Sequence, residues 1–218
     1  MTESLGGSNS FPMVLVGPSG GGKTTVGRAL EARRSDVRFS VSATTRRRRH
    51  DETDGKDYRF LSRDEFERMI QQGELLEWAT VHGELYGTPL SDLDAAKEDG
   101  VHLLLDIDVQ GMRAMSTLCP DAVSVFFLPP DAESVVKRLK GRRSEDTESL
   151  RKRLETALSE LAAVEEFDYM VINETVDDTV DRVEAIMDAE ASRVDRRVEA
   201  ARATALALAR DVKALLAT

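Results

Sequence analysis

Residues 17–24 read GPSGGGKT, directly after the apolar run MVLV (13–16) and directly before TVGRALEARR (25–34). Gly17, Gly22, Lys23 and Thr24 fill every fixed position of G-x-x-x-x-G-K-[ST]. The loop also falls between a strand-like run and a helix-like one, where its mechanism requires it to be. Glycines let backbone N–H groups turn inward around phosphate oxygens, and the N-terminus of the helix adds partial positive charge. Lys23 reaches the β- and γ-phosphates of a nucleoside triphosphate, and the Thr24 hydroxyl joins the shell of a Mg²⁺ ion. The alternative, a glycine-rich turn without a ligand, has both the filled positions and the flanks against it. The motif names a ligand and leaves the reaction open.

Working outward, VHLLLDID (101–108), AVSVFFLPP (122–130) and DYMVIN (168–173) are near-continuous apolar runs, the pattern of parallel strands covered on both faces. VRFSVS (37–42) reads as a further strand, the one that follows the first helix. Helical stretches separate them, so the fold class is α/β, a parallel sheet of the P-loop NTPase type with helices on both faces. Ser62 and Glu65 form a capping box that opens a helix ending near Gly73. Thr175 and Asp178 cap a long C-terminal helical region whose tail carries Leu208, Val212, Leu215 and Leu216 at helical spacing. Asp106 closes the run VHLLL, the position of a second carboxylate that holds Mg²⁺ directly or through water. Asp108, two residues on, shares a strand face with Asp106 if the strand continues, and caps the next helix if it does not.

The chain has 218 residues, 41% hydrophobic and 32% charged, and a formal net charge of −10. One folded domain with mobile sub-parts fits that length and balance. The acidic field repels nucleic acids and anionic membranes, so neither is an expected partner. A lone cysteine, Cys119, forms no internal disulfide and suits a reducing compartment. His50, His82 and His102 lack zinc-ligand spacing. The opening MTESLGGSNSF has neither the basic nor the apolar region of a signal peptide, and residues 1–11 read as a flexible tail. No apolar run approaches the length of a membrane span, and a cytoplasmic protein is the expectation. Against this acidic background TTRRRRHD (44–51) carries four consecutive arginines. They form a solvated basic loop, a nucleic-acid patch or a phosphate clamp.

The stretches GPSGGGKT, SVSATTRRRR, GKDYRF, GELLEWATVHGELYGT, LLLDIDVQG and FFLPP, in this order and spacing, resemble the guanylate kinases over residues 12–190. The resemblance implies the reaction ATP + GMP → ADP + GDP with Mg²⁺, and dGMP as a second acceptor. It also implies a core, an inserted α+β GMP-binding region at about 41–96, and a small lid at about 138–154. A C-terminal helical extension, 191–218, lies beyond the family's core, with packing on that core expected over self-association. Whether the protein is a monomer or a homodimer stays open. ATP is then assigned to Gly17, Pro18, Ser19, Gly20, Gly21 and Gly22 together with Lys23, Thr24 and Thr25, with Asn173 near the adenine. In the family motif S-x-T-T-R-x-x-R the acceptor phosphate goes to Arg46 and Arg49, joined by Ser42 and Tyr58, while Arg47 and Arg48 face solvent. Arginine suits this task because its planar fork pairs bidentately with phosphate.

The same resemblance makes Glu77 the acceptor for guanine N1–H and N2–H₂ and the Thr88 hydroxyl the donor to O6, with Tyr86 and Asp108 nearby. Adenine has no proton to share with such a carboxylate. Without the resemblance Glu77 reads as a surface residue, and Tyr58 and Tyr86 divide evenly between packing and contact. Trp78 reads as core. Arg138, Arg142 and Arg153 match lid arginines that close over the transferring group and exclude water. Three positions depart from the family pattern: Arg48 stands for a proline, and Asp51 and Arg143 stand for glycines. The competing readings are a catalytically inactive guanylate kinase-like interaction module, a ribose bisphosphate kinase of the same fold, and a nucleic-acid binder using the arginines.

Overall fold

The apolar runs become neighbouring strands in the computed structural model, which describes residues 10–18, 21–81, 83–140 and 147–216. In chain order the first elements are β1 (Pro12–Val16), α1 (Lys23–Arg33), β2 (Val37–Phe39), β3 (Ala43–Thr44), β4 (Arg59–Phe60) and α2 (Arg63–Gln72). Then come β5 (Leu75–Val81), β6 (Glu84–Pro89), α3 (Leu90–Asp99), β7 (His102–Asp106), α4 (Val109–Leu118) and β8 (Val123–Leu128). The chain continues with α5 (Ala132–Lys140), α6 (Thr147–Leu161), β9 (Tyr169–Ile172), α7 (Val176–Ala191) and α8 (Val198–Leu216).

Five strands pair in the order β2-β7-β1-β8-β9, every pair parallel. The side-chain period of two explains why their sequences look uniformly apolar. On β1, Met13 and Leu15 face Val26 and Leu30 of α1 and Val180, Val183 and Met187 of α7. The alternate residues Val14 and Val16 face Leu93 and Ala96 of α3 and Met112 and Met115 of α4. Both sides of the sheet are therefore core, and no strand residue near its centre is left for solvent.

After β2 the chain leaves this sheet and builds a second one, ordered β4-β3-β6-β5, before α3 returns it to the first. The second sheet has its own small core of Ala43, Phe66 and Leu85. Helix α2 opens at the expected capping box. Ser62 Oγ accepts from the Glu65 N–H at 3.2 Å, Glu65 Oε2 accepts from the Ser62 N–H at 2.8 Å, and the helix stops at Gly73. Thr175 Oγ1 accepts from the Asp178 N–H at 3.2 Å and opens α7 as expected.

Two expectations fail. Trp78 is 48% exposed instead of core, because the alternation along β5 turns its neighbours Glu77 and Ala79 inward and Trp78 out. The C-terminal region is two helices, α7 and α8, separated by a 3-10 turn over Val194–Arg196. Helix α8 buries no residue, and Leu208 and Leu215 are 60% and 76% exposed, so it does not pack on the core. The turn itself shows why. Glu190, 2% exposed, accepts from Tyr169 Oη at 2.6 Å and from Arg196 Nε at 3.0 Å, which directs the chain away before α8 begins. Among the described residues no helix is long and apolar enough to cross a membrane.

Leu104→Ala, at a fully buried site between β1 and β2, should cost about 2–5 kcal/mol in urea unfolding. Leu208→Ala on α8 should stay within about 0.5 kcal/mol, and equal losses would show that α8 is packed.

Candidate functional site

The register of the central strands sets the site. Leu15 of β1 lies opposite Asp106 of β7, so the end of β7 stands beside the loop that follows β1. Gly22 caps α1 at φ +84, a conformation open to glycine, and it offers no side chain to the helix N–H groups. The first turn carries no acidic residue either, which leaves the positive end of the helix available. Lys23 Nζ donates to the Gly17 carbonyl at 2.7 Å and stands 3.7 Å from Asp106 Oδ1. Thr24 Oγ1 donates to Asp106 Oδ2 at 2.5 Å.

The loop is braced from behind. Asn173, buried at the end of β9, donates from Nδ2 to the Gly21 carbonyl and accepts at Oδ1 from Thr179 Oγ1 at 2.9 Å. Arg138 donates to the same Gly21 carbonyl at 3.3 Å and to the Asn173 carbonyl at 3.0 Å. The Gly21 N–H closes a turn on the Pro18 carbonyl at 2.7 Å. Thr25 is exposed on the first turn of α1. Ser19, Gly20, Arg142 and Arg143 lie outside the described residues. Arg153 is half-buried on α6, on the helix face of Ala157 and Glu160.

Among the described residues no cluster of three or more His, Cys, Asp or Glu could hold a metal ion. A Mg²⁺ ion does not need one, since it keeps water and phosphate oxygens and takes one or two protein ligands. The Thr24 hydroxyl and Asp106 carboxylate, hard oxygen donors side by side, fit that requirement.

Opposite the loop, Ser42, Tyr58, Glu77 and Tyr86 line the same cleft, of about 220 Å³, together with Asp106 and Asp108. The strand β7 stops at Asp106, so Asp108 does not share its face. Asp108 instead caps α4, accepting from the Gly111 N–H at 2.8 Å, and still lines the cleft. Glu77 and Thr88 are cross-strand partners on β5 and β6. The Thr88 hydroxyl is fully buried and donates to Glu77 Oε1 at 2.7 Å. Its proton is thus directed at the glutamate and holds that side chain in place. Burial, seconded by the charge of Asp108, pushes the Glu77 carboxyl up to about 7 against the opposing Thr88 bond. Burial, with Asp106, pushes the Tyr58 hydroxyl up to about 12, so it keeps its proton.

The arginine run divides. Arg46 is half-buried, its guanidinium 5.3 Å from the Tyr58 ring centroid, while Arg47 and Arg48 are exposed as expected. Arg49 is exposed too, and so is Asp51, which stands 3.3 Å from His50 Nδ1. Glu52, which nothing in the sequence pattern marked, ties Arg46 and Arg49 together. It accepts from Arg46 at 2.8 and 3.1 Å and from the Arg49 N–H at 2.8 Å. Burial works against the Arg46 charge, but Glu52 and Tyr86 outweigh it and raise the guanidinium above its ordinary value. Neither Arg46 nor Arg49 lines the cleft. Glu160 of α6 does line it, a second carboxylate without a signal in the sequence.

A larger hollow of about 780 Å³ lies at the other end of the parallel strands, by Phe11, Cys119, Asp168 and Arg196. Its charged groups are largely paired, Glu190 with Arg196 and Arg193 with Asp195.

Comparison with known proteins agrees with this geometry. The guanylate kinase family model matches residues 9–190. The guanylate kinase of Rhodococcus jostii is 48% identical over 177 residues, 80% of this chain and 86% of that protein. The guanylate kinase of Syntrophotalea carbinolica is 42% identical over 89% of this chain and 93% of its own length. A crystal structure of guanylate kinase from Anaplasma phagocytophilum superposes with a TM-score of 0.73 at 34% identity, covering 88% of this chain and 92% of that one.

The raised Glu77 carboxyl has a thermodynamic consequence. Between its ordinary value and about 7 the folded state holds a proton that the unfolded chain releases, so this group's contribution to stability falls as pH rises through that window. In Glu77→Gln that dependence is gone. Its urea midpoint should therefore gain on the wild type from about pH 5 to about pH 8. A constant gap across that range would contradict the raised value.

Proposed function

The chain belongs to the guanylate kinase family, and from that premise we propose how its cleft carries out the reaction. The protein is a nucleoside monophosphate kinase that transfers the γ-phosphoryl group of ATP to GMP, giving ADP and GDP. In our reading the triphosphate of ATP lies in the loop from Gly17 to Thr25, with Lys23 on the β- and γ-phosphates. Thr24 and Asp106 would hold Mg²⁺, which when bound would neutralise charge on those phosphates. Asn173 and Arg138 keep the loop in shape, a role suggested by their bonds to the Gly21 carbonyl.

The acceptor enters from the second sheet. Arg46 and Arg49 take its phosphate, with Ser42, Tyr58 and Tyr86 supplying hydroxyls. Glu77 and Asp108 read the guanine, and Thr88 fixes Glu77. No side chain need act as a base, because a phosphate monoester with a second pKa of about 6 is mostly dianionic at neutral pH. The harder task is to bring two polyanions together, which positive charge accomplishes. Residues at about 41–96 form the GMP-binding region, and those at about 138–154 form the lid, whose Arg138, Arg142 and Arg153 close over the transferring group. dGMP, which presents the same phosphate and base, is the natural second acceptor. The cytoplasm, where both nucleotides circulate, is the setting.

One observation supports this reading above the others: Gly21, Gly22, Lys23 and Thr24 of the phosphate loop and the carboxylates Glu77 and Asp108 line a single cleft. An inactive interaction module finds no support, since Lys23, Thr24 and Asp106 remain in mutual contact. An ADP-release assay with ATP and Mg²⁺, offered GMP, dGMP, AMP, UMP and CMP in turn, should show turnover with the guanine nucleotides only. Arg46→Ala should raise the KM for GMP by about 10- to 100-fold while the KM for ATP moves less than about twofold. Lys23→Ala should lower kcat by about 100-fold or more. GMP kinetics indifferent to Arg46 would remove that residue from the clamp.

A further inference from the structure

A glycine inside a helix needs a reason, and Gly111 has none in its own backbone. It is the third residue of α4 and is not among the glycines with positive φ, so alanine fits the conformation. Glycine there costs the helix roughly 0.5–1 kcal/mol relative to alanine. The reason lies in the cleft wall. A methyl group on Gly111 would stand 2.8 Å from Glu77 Oε2, 3.2 Å from Glu77 Cδ and 3.3 Å from Ile107 Cβ. Glu77 has little freedom to withdraw, since it is 7% exposed and Thr88 holds its other oxygen at 2.7 Å. The Gly111 N–H meanwhile donates to Asp108 Oδ1 at 2.8 Å. One residue thus touches two of the cleft's carboxylates: its amide holds Asp108, and its bare Cα leaves room for Glu77.

We propose that Gly111 is a positioning residue for base recognition, which sets the place of the Glu77 carboxylate and with it the preference for a purine monophosphate that carries a 2-amino group. The inference rests on the reading of Glu77 as the guanine acceptor. A carboxyl group pushed aside loses alignment with one of two neighbouring N–H donors. That loss falls on GMP, which offers N1–H and N2–H₂ together, more than on IMP, which offers N1–H alone.

The test compares wild type, Gly111→Ala, Glu77→Asp and the double variant, varying GMP, IMP and ATP separately. For Gly111→Ala the KM for GMP should rise about tenfold or more, and the advantage of GMP over IMP in kcat/KM should fall about fivefold or more. The KM for ATP should stay within about twofold, a split that a general loss of structure would not produce. Aspartate is one methylene shorter and leaves space for the added methyl. In the Glu77→Asp background the alanine should therefore raise the KM for GMP by no more than about twofold. Unchanged GMP kinetics in Gly111→Ala, or a cost that adds in full to that of Glu77→Asp, would overturn the proposal. Should Gly111→Ala fail to fold, a folded double variant supports the contact with Glu77 and an unfolded one refutes it. Wild-type silence toward GMP would instead overturn the functional reading, and the proposal with it.

Discussion

The pairing of β1 with β7 is the contact on which the site depends. It is a backbone ladder between two buried apolar strands, and its register puts Leu15 opposite Asp106. That single offset carries Asp106 to Lys23 and Thr24, residues more than 80 positions away in the chain. A slip by one residue would turn Asp106 to the other face of the sheet and put its neighbours where the carboxylate belongs. Two-sided burial guards against the slip, since Leu103, Leu104 and Leu105 each fill a defined place in one of two cores. Packing thus does for the chemistry what no polar contact in the cleft could do alone.

A second theme is the management of charge in an acidic protein that must grip anions. The cations of the site are not left facing one another. Arg46 lies against Glu52, Lys23 is near Asp106, and Arg138 is bonded to backbone carbonyls. Each contact holds a long side chain near one geometry, and the partner offsets part of the cost of taking the charge out of water. In the proposed reading an incoming phosphate meets cations already ordered, and the entropy of fixing them falls on folding and not on binding.

Much of this was legible in the sequence, for stated reasons. The phosphate loop could be read because its glycines, lysine and threonine act through backbone geometry at fixed spacing. The strands of the large sheet could be read because burial on both faces erases polar positions. The capping box at Ser62 and Glu65 is a local motif and appeared as expected. What could not be read depends on distant partners. Glu52 has the spacing of any loop glutamate, and its meaning arises only when Arg46 turns toward it. The bond from the Thr88 hydroxyl to Glu77 follows from the β5-β6 register, which pairs two residues eleven positions apart. Trp78 looks like core until the alternation of β5 is anchored by Glu77 facing inward. The apolar stripe of α8 reads as packed, and only the anchor at Glu190 shows the chain turning away.

The brace behind the phosphate loop bears on the order in which the protein comes into being. The loop motif is complete once residue 24 has been made, yet the side chain that grips its Gly21 carbonyl belongs to residue 173, at the end of the strand on the sheet's edge. A growing chain on the ribosome therefore carries the motif long before it carries the support. The motif's backbone thus takes its shape from a residue 152 positions further on, and the loop is braced only once the last strand has docked.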